Sequence, residues 1–219
     1  MRFYLNGEPR TIVVDDYFPY CPHKQEWAFS RSNQEKEIWV LLLEKAWAKI
    51  YGSYQRIEAG TTGEALPALT GAPSEFMFHA EIEDKEEIWR KLRTADLKKY
   101  IIATAISSQK QINKSSEDMK NVGLVDAHAY SLIATYEDVD AKGKKLRLLH
   151  IRNPWGFKEW MGDWSDKSPL WTPELRQKFN HMDREDGLFF ISFEDYLSFF
   201  YITTICKYIV DNDVSLCAD

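Results

Sequence analysis

The sequence has few cysteines, and their arrangement excludes two kinds of protein. Only three of its 219 residues are cysteine, Cys21, Cys206 and Cys217. Their number is odd, their spacing is wide and no CxxC pair occurs, so the pattern indicates neither a zinc site nor the disulfide framework of a secreted domain. We therefore expect reduced thiols and a cytoplasmic location.

Positive net charge and long apolar runs are lacking as well. The formal net charge is −6 and the basic residues are scattered, so we expect no nucleic-acid partner. No stretch approaches the roughly 18 apolar residues of a transmembrane helix, and residues 1–10 contain no apolar signal-peptide core. With 44% hydrophobic residues, the chain can still form one large or two small domains.

The first third of the chain predicts a hairpin, a helix and a loop. Two β-rich runs flank Asn6-Gly7 within residues 2–16, which indicates a hairpin, and apolar residues at helical spacing predict a helix over residues 35–51. Gly, Thr and Pro interrupt residues 58–73, so we predict a loop there and assign residues 1–75 to a first domain. Because the chain opens in mid-hairpin, we expect a missing upstream segment.

From residue 76 onward the pattern is typical of an antiparallel α+β domain, which we assign to residues 76–210 and follow with a tail, 211–219. The predicted strands are 76–82, 100–107, 127–137, 144–153, 188–192 and 201–210. The predicted helices are 85–97, 172–180 and 192–200, and residues 108–123 are predicted to be a polar loop.

The hairpin of residues 127–153 can bring a histidine and an asparagine together. If Glu137 pairs with Lys144, His128 lies opposite Asn153, at a Cβ separation of about 4.5–5.5 Å. The carboxamide then fixes the imidazole tautomer, as a general base requires, and Trp155 follows as a cover that excludes water. A register slip of one residue would abolish this pairing. The alternative is a buried structural histidine and a turn asparagine.

Several segments carry a resemblance to a known family. GLVDAHAYSL at 123–132, IRNPWGFKEWMGDW at 151–164 and EDG at 185–187 resemble the second protease-core domain of calpains. Upstream, VVDDYFP, EIWVLLLEKAWAK, YGSY and Thr70-Gly71 resemble the end of the first core domain. The resemblance covers essentially the whole chain. It implies a papain-like cysteine protease fold, with a partial helical first subdomain and an antiparallel β-sheet second subdomain flanked by helices.

The resemblance implies that His128 is the catalytic base, that Asn153 orients it and that Trp155 shields the pair. The family's nucleophile is a cysteine in a Gln-x-x-x-x-x-Cys-Trp segment, which is absent here. One interpretation is part of a calpain-like endopeptidase, inactive alone, whose partners are protein substrates, a missing N-terminal half with the cysteine, and further C-terminal domains. The alternative is a non-peptidase scaffold or binding module with the same fold.

The resemblance also implies a calcium site. Glu159, Asp166 and Asp186 match acidic ligands of the family, and oxygen ligands suit Ca²⁺. Arg184 and Leu188 stand where the family usually has an uncharged residue and a glutamate, so they would contribute only backbone carbonyls. The alternative is a solvated acidic surface, because calcium needs 6–8 oxygens.

Overall fold

The computed structural model describes residues 1–32, 37–110, 114–139 and 143–209. Contacts divide the chain into two compact units, Met1–Ala72 and the residues from Pro73 onward. The predicted tail, Cys217 and residues 35 and 36 of the helix predicted over 35–51 lie outside the described residues. Residues 37 and 38 are not helical, so this helix begins later than predicted. No described helix is long and apolar enough to cross a membrane.

The first unit contains the predicted hairpin and helix. Strands β1 (Arg2–Leu5) and β2 (Glu8–Thr11) pair antiparallel, and a second short pair consists of β3 (Tyr20–Cys21) and β4 (Glu26–Trp27). Helix α1 (Trp39–Tyr51) ends at Gly52, whose φ of 94° is readily adopted only by glycine. Phe3 is fully buried and its ring lies 5.7 Å from that of Trp47, so the hairpin packs on this helix.

The loop predicted over residues 58–73 is wrong, because helix α2 (Thr62–Thr70) lies there. The side chain of Thr61 accepts a hydrogen bond from the Glu64 backbone, and Gly71 ends the helix with a φ of 73°. Pro67 lies inside the helix. The cap and the terminal glycine are local signals that outweigh the breaker composition of the segment.

The second unit is built on one six-stranded antiparallel sheet, which confirms the predicted α+β class. Its spatial order is β5-β10-β6-β7-β8-β9. The strands are β5 (Ser74–Phe78), β6 (Ile101–Ile106), β7 (His128–Val139), β8 (Lys145–Arg152), β9 (Leu188–Ser192) and β10 (Ile202–Cys206). The helices are α3 (Lys85–Leu97), α4 (Ser116–Asn121), α5 (Pro173–Lys178) and α6 (Phe193–Phe199).

Two hydrophobic clusters cover the two faces of this sheet. Leu149 and Ile151 of β8 belong to the larger cluster, with side chains of α3 and α6, whereas Leu148 belongs to the smaller one. Alternate residues of a strand point to opposite faces, so β8 is buried on both sides. Arg147 of β8 contacts α3 at this face. Its guanidinium is bound to Glu86 and lies 5.0 Å from the centre of the Trp89 ring.

Helix α4 corrects the prediction of a polar loop over residues 108–123. Ser115 and Asp118 form a capping box, in which the serine hydroxyl accepts from the Asp118 backbone and the Asp118 carboxylate accepts from the Ser115 backbone. Met119 of this short helix is fully buried. A single apolar anchor gives too little periodicity to reveal a helix of 6 residues from the sequence.

Candidate active site

His128 and Asn153 lie at one end of the sheet. His128 is the first residue of β7 and Asn153 directly follows β8, so the antiparallel arrangement brings the two positions together. The preceding residue, Ala127, has a φ of 51°, a left-handed conformation that turns the chain into β7. On the other side His128 pairs with Ile106 of β6.

The predicted register of the hairpin is wrong. Glu137 pairs with Arg147 rather than with Lys144, and the register shifts again between Leu132 and Ala134. The inserted residue shifts the alternation of buried positions in β7 from Tyr130 and Leu132 to Thr135. A register counted from the turn assumes that no such residue is present.

The expected hydrogen bond between the two side chains is nevertheless present. The last β7–β8 pair joins Ser131 to Arg152, so His128 has no directly opposed residue in β8. Its Nε2 lies 2.9 Å from Oδ1 of Asn153, one residue beyond the end of the strand. Side-chain reach, rather than strand pairing, makes this contact.

Asn153 is fully buried and bonded at every polar atom of its side chain. Its Nδ2 donates to the carbonyls of Phe157 at 2.7 Å and Lys158 at 3.0 Å, while Oδ1 also accepts from the Trp155 backbone at 3.1 Å. A flipped amide would place its NH₂ against a donor and its oxygen against two carbonyls. The carboxamide orientation is therefore fixed, and Nε2 of His128 must be the protonated ring nitrogen of the neutral imidazole.

Two aromatic rings flank the imidazole. The Trp155 ring lies 4.5 Å from the His128 ring, and the Tyr130 ring meets it edge-on at 4.9 Å. Trp155 is 49% exposed, so it covers the histidine on the solvent side. Nζ of Lys158 lies 5.4 Å from the indole centroid and brings a positive charge to the rim of the site.

The surroundings of His128 favour its neutral form. Burial lowers its pKa below 6.5, the nearby Lys158 ammonium lowers it further, and the bond to Asn153 opposes both effects. At neutral pH the imidazole therefore carries a proton on Nε2 and a free lone pair on Nδ1. Such a group can accept a proton from a reactant that approaches Nδ1.

Of the described cysteines, Cys206 can be located relative to His128. Cys206 is fully buried and pairs with Ile101, at the opposite end of β6 from Ile106, which pairs with His128. Five residues of strand separate the two levels by roughly 16 Å. Cys206 is therefore out of reach of the imidazole. Cys21 lies in β3 of the first unit.

The three carboxylates of the predicted calcium site mainly hold backbone groups. Oε1 of Glu159 accepts from the backbone N–H groups of Asp186 at 2.8 Å and Gly187 at 2.7 Å. Asp166 accepts from the Arg184 backbone at 3.1 Å, and Asp186 accepts from the Leu188 backbone at 3.0 Å. Arg184 and Leu188 were expected to contribute backbone carbonyls. The structure shows that their backbone N–H groups donate to Asp166 and Asp186.

Negative charge is crowded around Asp166. Burial raises its pKa to about 6, and the neighbouring carboxylates of Glu159, Asp183 and Asp186 also raise it. Burial raises the pKa of Glu159 as well. A cation would relieve this repulsion, so the chemistry of the donors fits calcium. Across the described part of the chain, however, no three His, Cys, Asp or Glu side chains lie close enough together to hold a metal ion.

Sequence reasoning missed three contributors to this region. His181 is buried with Nε2 at 3.3 Å from Asp166, and its Nδ1 contacts Arg176. The charge of Lys158 lowers the pKa of His128. Asp126 accepts hydrogen bonds from two serine hydroxyls just before β7 begins. Asp126 and Lys158 lie within the segments 123–132 and 151–164 that resemble the family, and this placement is the signal that could have indicated them.

Known proteins match this chain over most of its length. The profile described as "Calpain family cysteine protease" matches residues 1–207. The calpain-type cysteine protease DEK1 of Arabidopsis thaliana is 34% identical over 94% of this chain and 9% of its own length. Calpain-9 of Rattus norvegicus is 35% identical over 94% of this chain and 29% of its own length. Calpain-12 of Mus musculus is 36% identical over 90% and 26%.

A crystal structure of SERA5E from Plasmodium falciparum matches 61% of this chain and 46% of its own, with a TM-score of 0.36 and 13% identity, too low to support an argument. The sequence relatives are longer proteins, and the chain spans less than a third of each of the three named above. The profile match over nearly the whole chain establishes its family. The chain belongs to the calpain family of cysteine proteases.

Proposed function

We propose that this chain is the histidine- and asparagine-bearing part of the catalytic core of a calpain-like cysteine endopeptidase. The first unit is the C-terminal part of core subdomain 1, and the second unit is core subdomain 2. The observation that carries the proposal is the fixed Asn153 amide, which leaves Nδ1 of His128 as the free ring nitrogen. His128 is the general base and acid, Asn153 orients it, and Trp155 limits access of water.

The nucleophile in this proposal is a cysteine outside the present sequence, because the sequence lacks the Gln-x-x-x-x-x-Cys-Trp segment and Cys206 lies far from the imidazole along β6. The missing N-terminal half of the core supplies this cysteine, and the whole enzyme has protein substrates and further C-terminal domains. A cytoplasmic location suits the buried, reduced thiol of Cys206. Alone, the chain has no peptidase activity.

The catalytic cycle then uses Nδ1 of His128 twice. The imidazole takes the thiol proton, and the thiolate attacks the peptide carbonyl carbon. When the C–N bond breaks, the imidazolium gives that proton to the leaving amine, and an acyl-enzyme thioester remains. The imidazole next takes a proton from water as the water attacks the thioester. The acid product leaves, and the thiolate recovers the proton.

Two measurements test the proposed activity. The purified chain is expected to hydrolyse no casein, with or without calcium, because its sequence lacks the Gln-x-x-x-x-x-Cys-Trp segment that carries the family's nucleophile. In the full-length protein encoded by the gene, His128→Ala is expected to lower kcat by about 10²–10⁴-fold. Turnover by the present chain that His128→Ala abolishes would show that a nucleophile is present here. An upstream coding sequence without the cysteine segment would favour the scaffold alternative.

We also propose that calcium regulates the enzyme through Glu159, Asp166 and Asp186, with backbone oxygens of Arg184 and Leu188 as further ligands. The support is the set of carboxylates around Asp166, whose pKa is raised to about 6 by burial and further by the charges of Glu159, Asp183 and Asp186. Bound calcium would supply positive charge there and hold the segments around residues 159 and 186 together. No step of the catalytic cycle above passes through the ion.

Isothermal titration calorimetry tests the calcium proposal directly. The wild-type chain is expected to give binding heat, and Asp166→Asn is expected to weaken binding at least about tenfold, a loss of about 1.4 kcal/mol. Glu185→Gln is the matched control, because Glu185 lines the same 830 Å³ cavity but is not one of the proposed ligands. A flat wild-type trace would support the solvated acidic surface instead.

A further inference from the structure

A second polar cluster lies beside His128, outside the histidine–asparagine pair. Oδ1 of Asp126 accepts from the backbone N–H groups of Ser108 at 2.7 Å and Ala127 at 2.8 Å. Oδ2 accepts from the hydroxyls of Ser108 and Ser116, whose oxygens lie 3.2 Å apart. We refer to Ser108, Ser116, Asp126 and Ala127 as the Asp126 clasp.

The Asp126 clasp joins three segments that are separate in sequence. Ser108 lies two residues after the end of β6, Ser116 begins α4, and Asp126 lies two residues before His128. One carboxylate therefore ties both the end of β6 and the start of α4 to the turn that enters β7. The hydroxyls of Ser108 and Ser116 also join the end of β6 directly to the start of α4.

The chemistry of the clasp requires a carboxylate. Burial alone raises the pKa of Asp126, but its hydrogen bonds from Ser108, Ser116 and Ala127 lower it to about 2. The group is therefore ionised at any ordinary pH. Two carboxylate oxygens offer about four acceptor sites, which match the four donors, whereas an asparagine offers a single acceptor oxygen.

The clasp acts on the residue directly before His128. Ala127 has a φ of 51°, which is unfavourable for a residue with a Cβ, and its N–H is held by Asp126. A second restraint joins the Val125 N–H to the hydroxyl of Tyr130 at 2.8 Å, and the Tyr130 ring contacts His128. The position from which the imidazole projects thus depends on a turn held from both sides.

We propose that Asp126 is a positioning residue for His128, because its carboxylate fixes the left-handed turn at Ala127 and thereby the distance between the imidazole and Asn153. The proposal rests on the proposed role of His128 as the base. It concerns the geometry of the pair in the ground state, so it can be tested without turnover.

The test is ¹⁵N NMR of the histidine rings in the full 219-residue chain. In Asp126→Ala, solvent exchange of the His128 Nε2–H is expected to rise on the order of tenfold, which corresponds to about 1.4 kcal/mol. Asp126→Asn keeps one acceptor oxygen and is expected to give an intermediate rate. The ring signals of His79 and His150, which lie elsewhere in the same unit, are expected to be unchanged.

Asp118→Ala is the matched control, because Asp118 caps α4 through Ser115 and does not touch the turn. Wild-type exchange at His128 in this variant supports the proposal, whereas exchange as fast as in Asp126→Ala overturns it. Unchanged exchange in Asp126→Ala, or equal changes at all three histidines, also overturns it. If Asp126→Ala does not fold, the Ser108→Ala/Ser116→Ala double variant replaces it, with a smaller increase expected and no increase counting against the proposal.

These outcomes are separate from the fate of the proposed function. A full-length protein without peptidase activity would remove the catalytic role of His128 and leave the exchange rates as they are. Unchanged exchange in an active enzyme would reject only the role of Asp126.

Discussion

At the scale of single residues, the site depends on how completely Asn153 is bonded. Motif resemblance indicated His128, Asn153 and Trp155, and the structure brings these side chains together. The partners that fix the amide are backbone carbonyls of Phe157 and Lys158, in a turn that no side-chain pattern describes. The pair was therefore predictable, but the reason for its rigidity was not.

Lys158 is the residue whose charge most directly tests the electrostatics of the pair. Because its ammonium lowers the pKa of His128, Lys158→Gln is expected to raise that pKa. Asn153→Ala is expected to lower the pKa of His128, because it removes a hydrogen bond that stabilises the protonated imidazole. NMR titration of the His128 ring signals measures both changes.

Lys167→Gln provides the control for this prediction. Lys167 lines the same cavity as Lys158 but is not among the charges that act on His128. The effect of Lys158→Gln is also expected to shrink in 1 M salt, where the screening length falls to about 3 Å. Equal shifts in the two lysine variants would show that the effect is one of net charge rather than of position.

At the scale of elements, prediction succeeded where a helical period or a cap was recognised, as in α3, α5 and α6, and failed where neither was. Helix α3 has the predicted bounds, because Ile88, Trp89 and Leu92 give a clear helical period and Asp84 caps it. Helices α2 and α4 were missed, although Thr61 and Ser115 cap them. Short helices are stabilised by tertiary packing, which a local pattern does not contain.

The end of α4 offers a test of close packing around the site. A Cβ at Gly123 would lie 1.9 Å from the carbonyl oxygen of Glu159, and the φ of Gly123 is 80°. Gly123→Ala is therefore expected to lose about 1–2 kcal/mol of unfolding free energy for the left-handed conformation and about 1–3 kcal/mol for the clash. Urea denaturation followed by circular dichroism measures the loss.

Gly143→Ala separates these two contributions. Gly143 also has a positive φ, 76°, but a Cβ added there would meet no described atom within 4 Å, so only the conformational loss is expected. Equal losses in the two variants would mean that the segment at Glu159 moves away without resistance.

At the scale of the whole molecule, the α+β class and the six strands of the second unit followed from the sequence. The sensitivity of stability to acid, in contrast, follows only from burial. His79 is buried and bonded to the Phe200 carbonyl and to Thr203, and burial lowers its pKa to about 4. Burial also lowers the pKa of His150 to about 4. Both rings are neutral in the folded state over a range where the unfolded chain is protonated.

Stability is therefore expected to fall as the pH is lowered from about 6.5 to about 4. Because the pKa of His79 in the folded state lies below the ordinary histidine value of 6.5, the unfolded state binds more protons than the folded state in this pH range. The full shift is worth roughly 3 kcal/mol per histidine. Asp166 has the opposite effect on stability, because its folded pKa of about 6 lies above the ordinary aspartate value of 3.8. The effect of this one carboxyl is smaller than that of the two histidines together.

Urea denaturation at pH 7.5, 6.5, 5.5 and 4.5 tests this balance. The slope of unfolding free energy against pH is expected to be shallower in His79→Gln and steeper in Asp166→Asn than in the wild type. Slopes are compared because each substitution also changes stability at neutral pH. A His79→Gln slope equal to that of the wild type would contradict the assignment.

The chain of contacts through Gly187 has a consequence for natural variation. The Glu159 carboxylate holds the Gly187 N–H at 2.7 Å, and the Gly187 carbonyl holds the Asn153 N–H at 2.7 Å. A Cβ at Gly187 would lie 2.6 Å from the Asn153 carbonyl oxygen. Glycine is therefore expected at position 187 in relatives that keep Glu159 and Asn153, and an alignment in which larger residues are common at this position would contradict this expectation.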